Sequence, residues 1–199
     1  MTTTALPEDR DGFRFRGGCN AIDLPATLQA RLSPAPRELL GSPADLARWL
    51  VSAGMATTAP EADAEDLAAA RALREVIYVL AGQRDGVAAE SARATLNALA
   101  AGEPAVPQLR GDGTAMLTGS AAALLVTLAR EAVQLFGTDA AGLIRQCESP
   151  TCTLYFIDAS RKGGRRWCSM SACGNKAKVA GFRRRQRGRR KTGTSKSTR

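Results

Sequence analysis

Four cysteines carry the most explicit chemistry in this sequence. Cys147 and Cys152 have four residues between them, Cys168 and Cys173 likewise, and fifteen residues separate the two pairs. Two close pairs at this spacing are the pattern of a structural zinc site, because each tight turn supplies two corners of a tetrahedron and the intervening segment brings the turns together. Zinc sets its sulfur ligands about 2.3 Å away. With all four corners filled by thiolate, no position remains for an activated water, so the site reads as structural, with one Zn2+ per chain. A pair of disulfides fits a chain without an export signal poorly, and a redox switch more often shows a single CxxC. The hairpin-and-helix setting favours zinc over an iron–sulfur cluster.

The chain contains no histidine. Ser-His and Cys-His nucleophiles, imidazole acid–base chemistry and mixed Cys/His zinc sites are thereby excluded. Cys19, the fifth cysteine, stands alone and reads as a packed thiol. Asp23 is a lone acid, for which a cap or a surface charge is the default. No Gly-rich phosphate loop or paired-carboxylate motif is present, so no enzyme is expected.

Charge is sharply divided. Residues 1–159 hold 13 Lys/Arg and 19 Asp/Glu, whereas residues 160–199 hold 15 Lys/Arg and no acid, which together give the net charge of +9. An acidic body with a basic end points to a polyanionic partner for that end. Arg161, Lys162, Arg165 and Arg166 fall between the cysteine pairs, and Lys176, Lys178, Arg183, Arg184, Arg185 and Arg187 follow the second pair. These are the candidate nucleic-acid contacts. The scarcity of aromatics there (Tyr155, Phe156, Trp167 and Phe182) leans towards DNA and leaves RNA open, because RNA modules stack bases on exposed rings.

The elements that must position these groups can be read from periodicity. Residues 1–12 are polar and expected to be disordered, followed by a short strand at Phe13-Arg14-Phe15 that Gly17-Gly18 closes. Residues 33–41 read as a loop. Ser42-Pro43-Ala44-Asp45 starts a helix that turns Leu46, Trp49 and Leu50 inward. Pro60 starts a long helix carrying Leu67, Leu73, Ile77 and Leu80 on one face and ending near Gly82. A third helix spans 88–101, a small hairpin lies within 104–118, and Ser120 opens a fourth helix ending at Phe136. In the cysteine region, Leu154, Phe156 and Trp167 form a mini-core and Lys162-Gly163-Gly164 turns a hairpin. A helix then runs from Lys176 to about Arg187, with Ser171 as its cap. The fold expected is α+β: a mainly α-helical body at 13–140 with a few short strands, then a treble-clef-like zinc finger at 141–187 and a disordered basic tail at 188–199. No stretch reaches the ~20 apolar residues of a membrane span, and the first residues lack a basic start and an apolar run. Location in the cytoplasm, of a bacterial cell on composition, is the expectation.

The cysteine region resembles the CGNR zinc finger. The matching residues are Cys147, Cys152, Phe156, Asp158, Ser160 and Arg161, then Arg165-Arg166-Trp167-Cys168-Ser169-Met170 and Cys173-Gly174-Asn175. That finger closes bacterial proteins whose front part is the ABATE domain, and Ala21-Ile22-Asp23-Leu24 with Thr27, and Ser42-Pro43 through Trp49-Leu50, lie where that domain has its Leu-Asp-Phe and Trp segments. The resemblance implies a stress-responsive transcription regulator whose finger binds DNA and whose body senses a ligand or forms a dimer. A zinc-stabilised RNA- or protein-interaction module is the alternative. Two departures stand out. The fourth letter of the CGNR signature is Lys176, which keeps the charge and loses bidentate geometry. The Leu-Asp-Phe-x-Asn-Thr pattern has become Ile22-Asp23-Leu24-Pro25-Ala26-Thr27, so no role of the family's Asn carries over.

Overall fold

The structure, a computed structural model, describes residues 7–193, with side chains from 184 onward described only at Gln186. The chain opens with a two-stranded hairpin, β1 (Asp9–Arg10) paired to β2 (Phe13–Arg14). The disorder expected over 1–12 therefore does not extend past the start of β1, and residues 1–6 lie outside the described set. Its turn is Asp11-Gly12, with φ of 48° and 81°, the double positive φ that lets a two-residue loop follow the twist of the strands.

One helical turn, α1 (Asn20–Asp23), and a 3₁₀ turn over Leu24–Thr27 follow. A second small ladder pairs β3 (Leu28–Gln29) with β4 (Arg37–Glu38), and β4 lies inside the 33–41 segment expected to be loop. Helix α2 (Pro43–Ser52) begins as its sequence predicts: Ser42 accepts from the Asp45 N–H and Asp45 returns to the Ser42 N–H, a capping box. Helix α3 (Ala64–Gly82) starts four residues after Pro60, because Asp63 and Asp66 form a second capping box and set the boundary there. Then come α4 (Val87–Ala100), the hairpin β5 (Val106–Leu109) with β6 (Ala115–Thr118), and α5 (Ala121–Phe136), which Ser120 caps as expected.

Helices α3, α4 and α5 pack against one another, and α1 and α2 close the bundle. Trp49, Leu46, Leu50, Leu73, Ile77, Leu124 and Leu128 are at most 1% exposed. Phe15 stacks on Trp49 with ring centres 6.0 Å apart, which ties the N-terminal hairpin to the core. Arg74 of α3, itself buried, reaches the front segment through Glu38 at 2.7 Å and is held by its neighbour Glu75 at 2.9 Å. No described helix is long and apolar enough to cross a membrane.

Asp23 is a buried fastener, not the surface charge or simple helix cap that is the default for a lone acid. It is 5% exposed and its Oδ1 accepts the Gly17 N–H at 2.6 Å. Burial pushes its carboxyl up to about 7, with the Gly17 and Arg16 N–H groups working against that rise. Glu131, which accepts the Ala21 N–H, is also pushed up by burial. An acid whose folded-state pKa lies above its ordinary 3.8 favours the fold while protonated. Its contribution is complete below about pH 4 and is lost as pH rises through about 7. At about 1.4 kcal/mol per tenfold change in proton affinity, the loss is on the order of 4 kcal/mol. Urea unfolding of wild type and Asp23→Asn should show wild type losing stability relative to the variant between pH 5 and pH 8. A constant difference across that range would remove Asp23 as the source.

Candidate metal centre

The second half of the molecule is built around the cysteines. Strand β7 (Ile144–Gln146) leads into Cys147, the chain turns through Ser149 and Cys152, and β8 (Tyr155–Ile157) returns antiparallel to β7. The first cysteine pair thus sits at the tip of a hairpin whose strands flank it. The sequence instead predicts a hairpin turning at Lys162-Gly163-Gly164. That turn forms, with the Gly163 N–H donating to Ser160 O, but it joins no strand pair: β8 pairs backward with β7, and the Ile157 N–H donates to Gly17 O of the body. The loop beyond β8 is held by Asp158, whose Oδ1 accepts from the Ser160 hydroxyl at 2.5 Å and N–H at 3.1 Å while Oδ2 accepts the Arg165 N–H at 3.0 Å. The Ser160 hydroxyl first, and then the N–H groups, hold this carboxyl below the usual range.

A wide helical turn, Met170–Gly174, carries Cys173 and runs directly into α6 (Asn175–Gly193). Ser171 does not cap α6; its carbonyl accepts from Asn175 Nδ2. The helix continues past Arg187 to Gly193, six residues into the segment expected to be a disordered tail, while 194–199 lie outside the described residues. Basic residues near a helix C-terminus suit the dipole there.

The four sulfurs of Cys147, Cys152, Cys168 and Cys173 lie within 4.8 Å of one another. Cys152 Sγ is 3.8 Å from Cys168 Sγ, which is 3.7 Å from Cys173 Sγ. A tetrahedron with sulfur 2.3 Å from its centre has edges of about 3.8 Å, so the spacing fits a zinc ion, and it is far beyond the ~2.05 Å of a disulfide. Backbone N–H groups point at the sulfurs, Ser149 and Cys168 at Cys147, and Leu154 at Cys152. Such donors stabilise thiolate. Without a cation the sulfurs cannot all ionise. The hydrogen bond between Cys152 and Cys168 pulls the Cys152 thiol down and pushes Cys168 far up, with burial adding to that rise. A divalent ion at the centre would relieve this conflict and cross-link the two knuckles.

The core beneath the sulfurs is small: Leu154, Phe156 and Ala26, with Trp167 half-buried beside them. Ala26 belongs to the body, so finger and body share this core. The remaining seam is continuous. The Ile157 N–H donates to Gly17 O at 2.7 Å, and the Asp158 N–H to Leu143 O at 2.9 Å. Tyr155 meets Tyr78 edge-on at 5.3 Å, directly over Gly82, where a Cβ would collide with the Tyr155 hydroxyl. Arg31 caps this pair, lying 4.1 Å from the Tyr78 ring and gripping Glu75 with both guanidinium nitrogens.

The candidate cations separate into two groups. Arg165 lies 4.6 Å over the Phe156 ring and donates to the carbonyls of Trp167 and Cys168. Arg166 pairs with Glu148 at 2.6 Å beside Trp167. Both serve the finger's own construction. Arg161, Lys162, Lys176, Lys178 and Arg183 are exposed. Arg184, Arg185 and Arg187 follow on α6, with side chains outside the described set. Cys19 is packed against the core, and burial pushes its thiol up to about 11, which keeps it protonated.

A helical body joined to a four-cysteine, metal-competent finger defines the class: a zinc-finger protein. The chain belongs to the ABATE family, described as "putative stress-induced transcription regulator", whose model matches residues 20–139. The CGNR zinc finger matches residues 144–186, the segment that holds all four cysteines. No curated protein matches the chain.

Metal analysis of the purified chain should find one zinc per molecule. Cys168→Ser removes the sulfur that touches two others and should abolish zinc retention and lower the melting temperature, while α2 to α5 keep their helical circular-dichroism signal. Stoichiometric zinc in the variant, with unchanged melting, would rule the tetrathiolate site out.

Proposed function

We propose that the chain is a transcription regulator that binds duplex DNA through the finger and α6. In this reading the helical body senses a ligand or mediates dimerisation. The observation that carries it is the mounting of α6. The helix starts two residues after Cys173, is free of acidic residues throughout, and exposes Lys176, Lys178 and Arg183. A rigid metal knuckle that aims a basic helix is suited to meeting phosphates in a fixed register. The zinc is structural here, and the body acts without catalysis.

A cavity of about 220 Å³ lined by Leu80, Leu96 and Phe136 together with Arg84 and Arg93 is one place in the body with room for a small ligand. A second reading, RNA binding, is favoured by Phe182, which is 56% exposed on α6 and available for base stacking.

If about six phosphates are neutralised, log K for a duplex should fall against log salt with a slope of roughly −5. Replacing Lys176, Lys178 and Arg183 together by Gln should make the slope shallower by about 3 and weaken binding evenly across sequences. Unchanged duplex affinity in that variant would sink the DNA reading. Phe182→Ala separates the two readings. A loss confined to single-stranded RNA, of about 1–3 kcal/mol, would select RNA.

A further inference from the structure

A cleft of about 450 Å³ lies on the seam between body and finger. One wall is the N-terminal hairpin with β4, and the other is the first cysteine knuckle and the start of α6. We propose that this cleft is a binding site for a phosphate group, held jointly by Arg14 and Arg37 of the body and Lys176 of the finger.

Arg14 and Arg37 differ from the other arginines of the body in the partners they have. Every other arginine of the described body has one. Arg16, Arg31, Arg48, Arg71 and Arg74 hold carboxylates. Arg84, Arg93 and Arg130 hold backbone carbonyls. Arg10 lies over the Phe15 ring and Arg110 donates to Met116. Among the described residues, Arg14 and Arg37 have no carboxylate, carbonyl or ring, and Lys176 has none either. These three come from β2, β4 and α6, segments far apart in sequence, and all three line the same cleft. A body that pairs its arginines this thoroughly, yet leaves two bare beside a bare lysine, has a surface shaped for an anion from outside.

The charge balance supports the same ligand. The cleft holds four cations, the fourth being Arg16, against the single carboxylate of Asp9, which Arg16 already grips at 2.6 Å. A zinc tetrathiolate behind the wall carries a formal charge of two minus, and the cleft remains positive even against it. The Thr151 and Thr153 side chains line the floor and can donate to phosphate oxygens. Guanidinium forks bind phosphate in two-point geometry, and an ammonium adds a point charge. A phosphate placed here touches body and finger at once, and so fixes the one relative to the other.

Two sources supply that chemistry: a backbone phosphate of DNA lying along α6, or a free phosphorylated small molecule. The first source rests on the DNA reading above; the second stands without it. The experiment uses the full zinc-loaded chain as wild type, Arg37→Gln, the double variant Arg14→Gln/Arg37→Gln, and Arg110→Gln as a control at the tip of the β5–β6 hairpin. Zinc content and circular dichroism establish that each variant folds. The single variant at exposed Arg37 carries the test if the double one does not fold. One arm measures duplex affinity over a salt series. The other measures melting with inorganic phosphate against chloride at equal ionic strength.

A backbone phosphate in the cleft makes the salt slope shallower by about 1 in the double variant and by a smaller amount in the single one, with the control unchanged. A free phosphate leaves the slope alone, and millimolar inorganic phosphate raises the melting temperature of wild type and control but not of the double variant. Either result supports the site and identifies its source. If the chain binds no duplex at all, the melting arm decides alone. A wild-type salt slope in both variants, together with phosphate protection that is absent from wild type or equal in the double variant, overturns the proposal.

Discussion

Four sulfur atoms that lie within 4.8 Å of one another set the terms for the second half of this molecule. Sulfurs this close compete for protons, and the opposed shifts of Cys152 and Cys168 are the sign of that competition. A cation resolves it and takes the place of a core. Three of the six fully buried residues in the finger's cluster are the cysteines themselves, and a fourth is borrowed from the body. About forty residues with so little apolar burial rarely fold alone, and metal-binding free energy then becomes folding free energy. The knuckles, the Asp158 staple and the Arg165 wedge over Phe156 all follow from that convergence point.

The second constraint is the seam. The finger is fastened at Gly17, Leu143, Ala26 and Tyr78, so α6 leaves the molecule in a direction the body helps to set. Asp23 enters here, because the loop it holds at Gly17 is the loop that accepts the Ile157 N–H. A change of state in the body therefore has a short mechanical route to the finger: α1, the Gly17 loop, β8 and the first knuckle. This route gives physical content to the proposed coupling between body and finger.

Local signals were legible wherever local chemistry decided the outcome. The cysteine spacing located the cluster of four sulfurs, and Ser42 and Ser120 marked the starts of α2 and α5. The α3 boundary was harder, since Pro60 and Asp63 both start helices and only the reciprocal Asp63–Asp66 bonds choose between them. The Asp11-Gly12 turn was also readable, as a two-residue hairpin signal, but the polar composition around it pointed to disorder. What sequence could not show is pairing at a distance. Strand β8 could have paired forward or backward, and tertiary geometry selected β7. Arg165 and Arg161 look alike in the sequence, yet one is locked over Phe156 and the other is exposed. The meeting of Arg14, Arg37 and Lys176 depends on the seam and leaves no mark in any single stretch of chain.

We propose that these four sulfurs and nothing else enclose one zinc ion. X-ray absorption at the zinc edge on the full chain tests it most directly. Four sulfur scatterers at about 2.3 Å, with no nitrogen or oxygen in the first shell, is the predicted result. A light-atom ligand at about 2.0 Å would contradict it by requiring an open coordination position and a different chemistry for the finger.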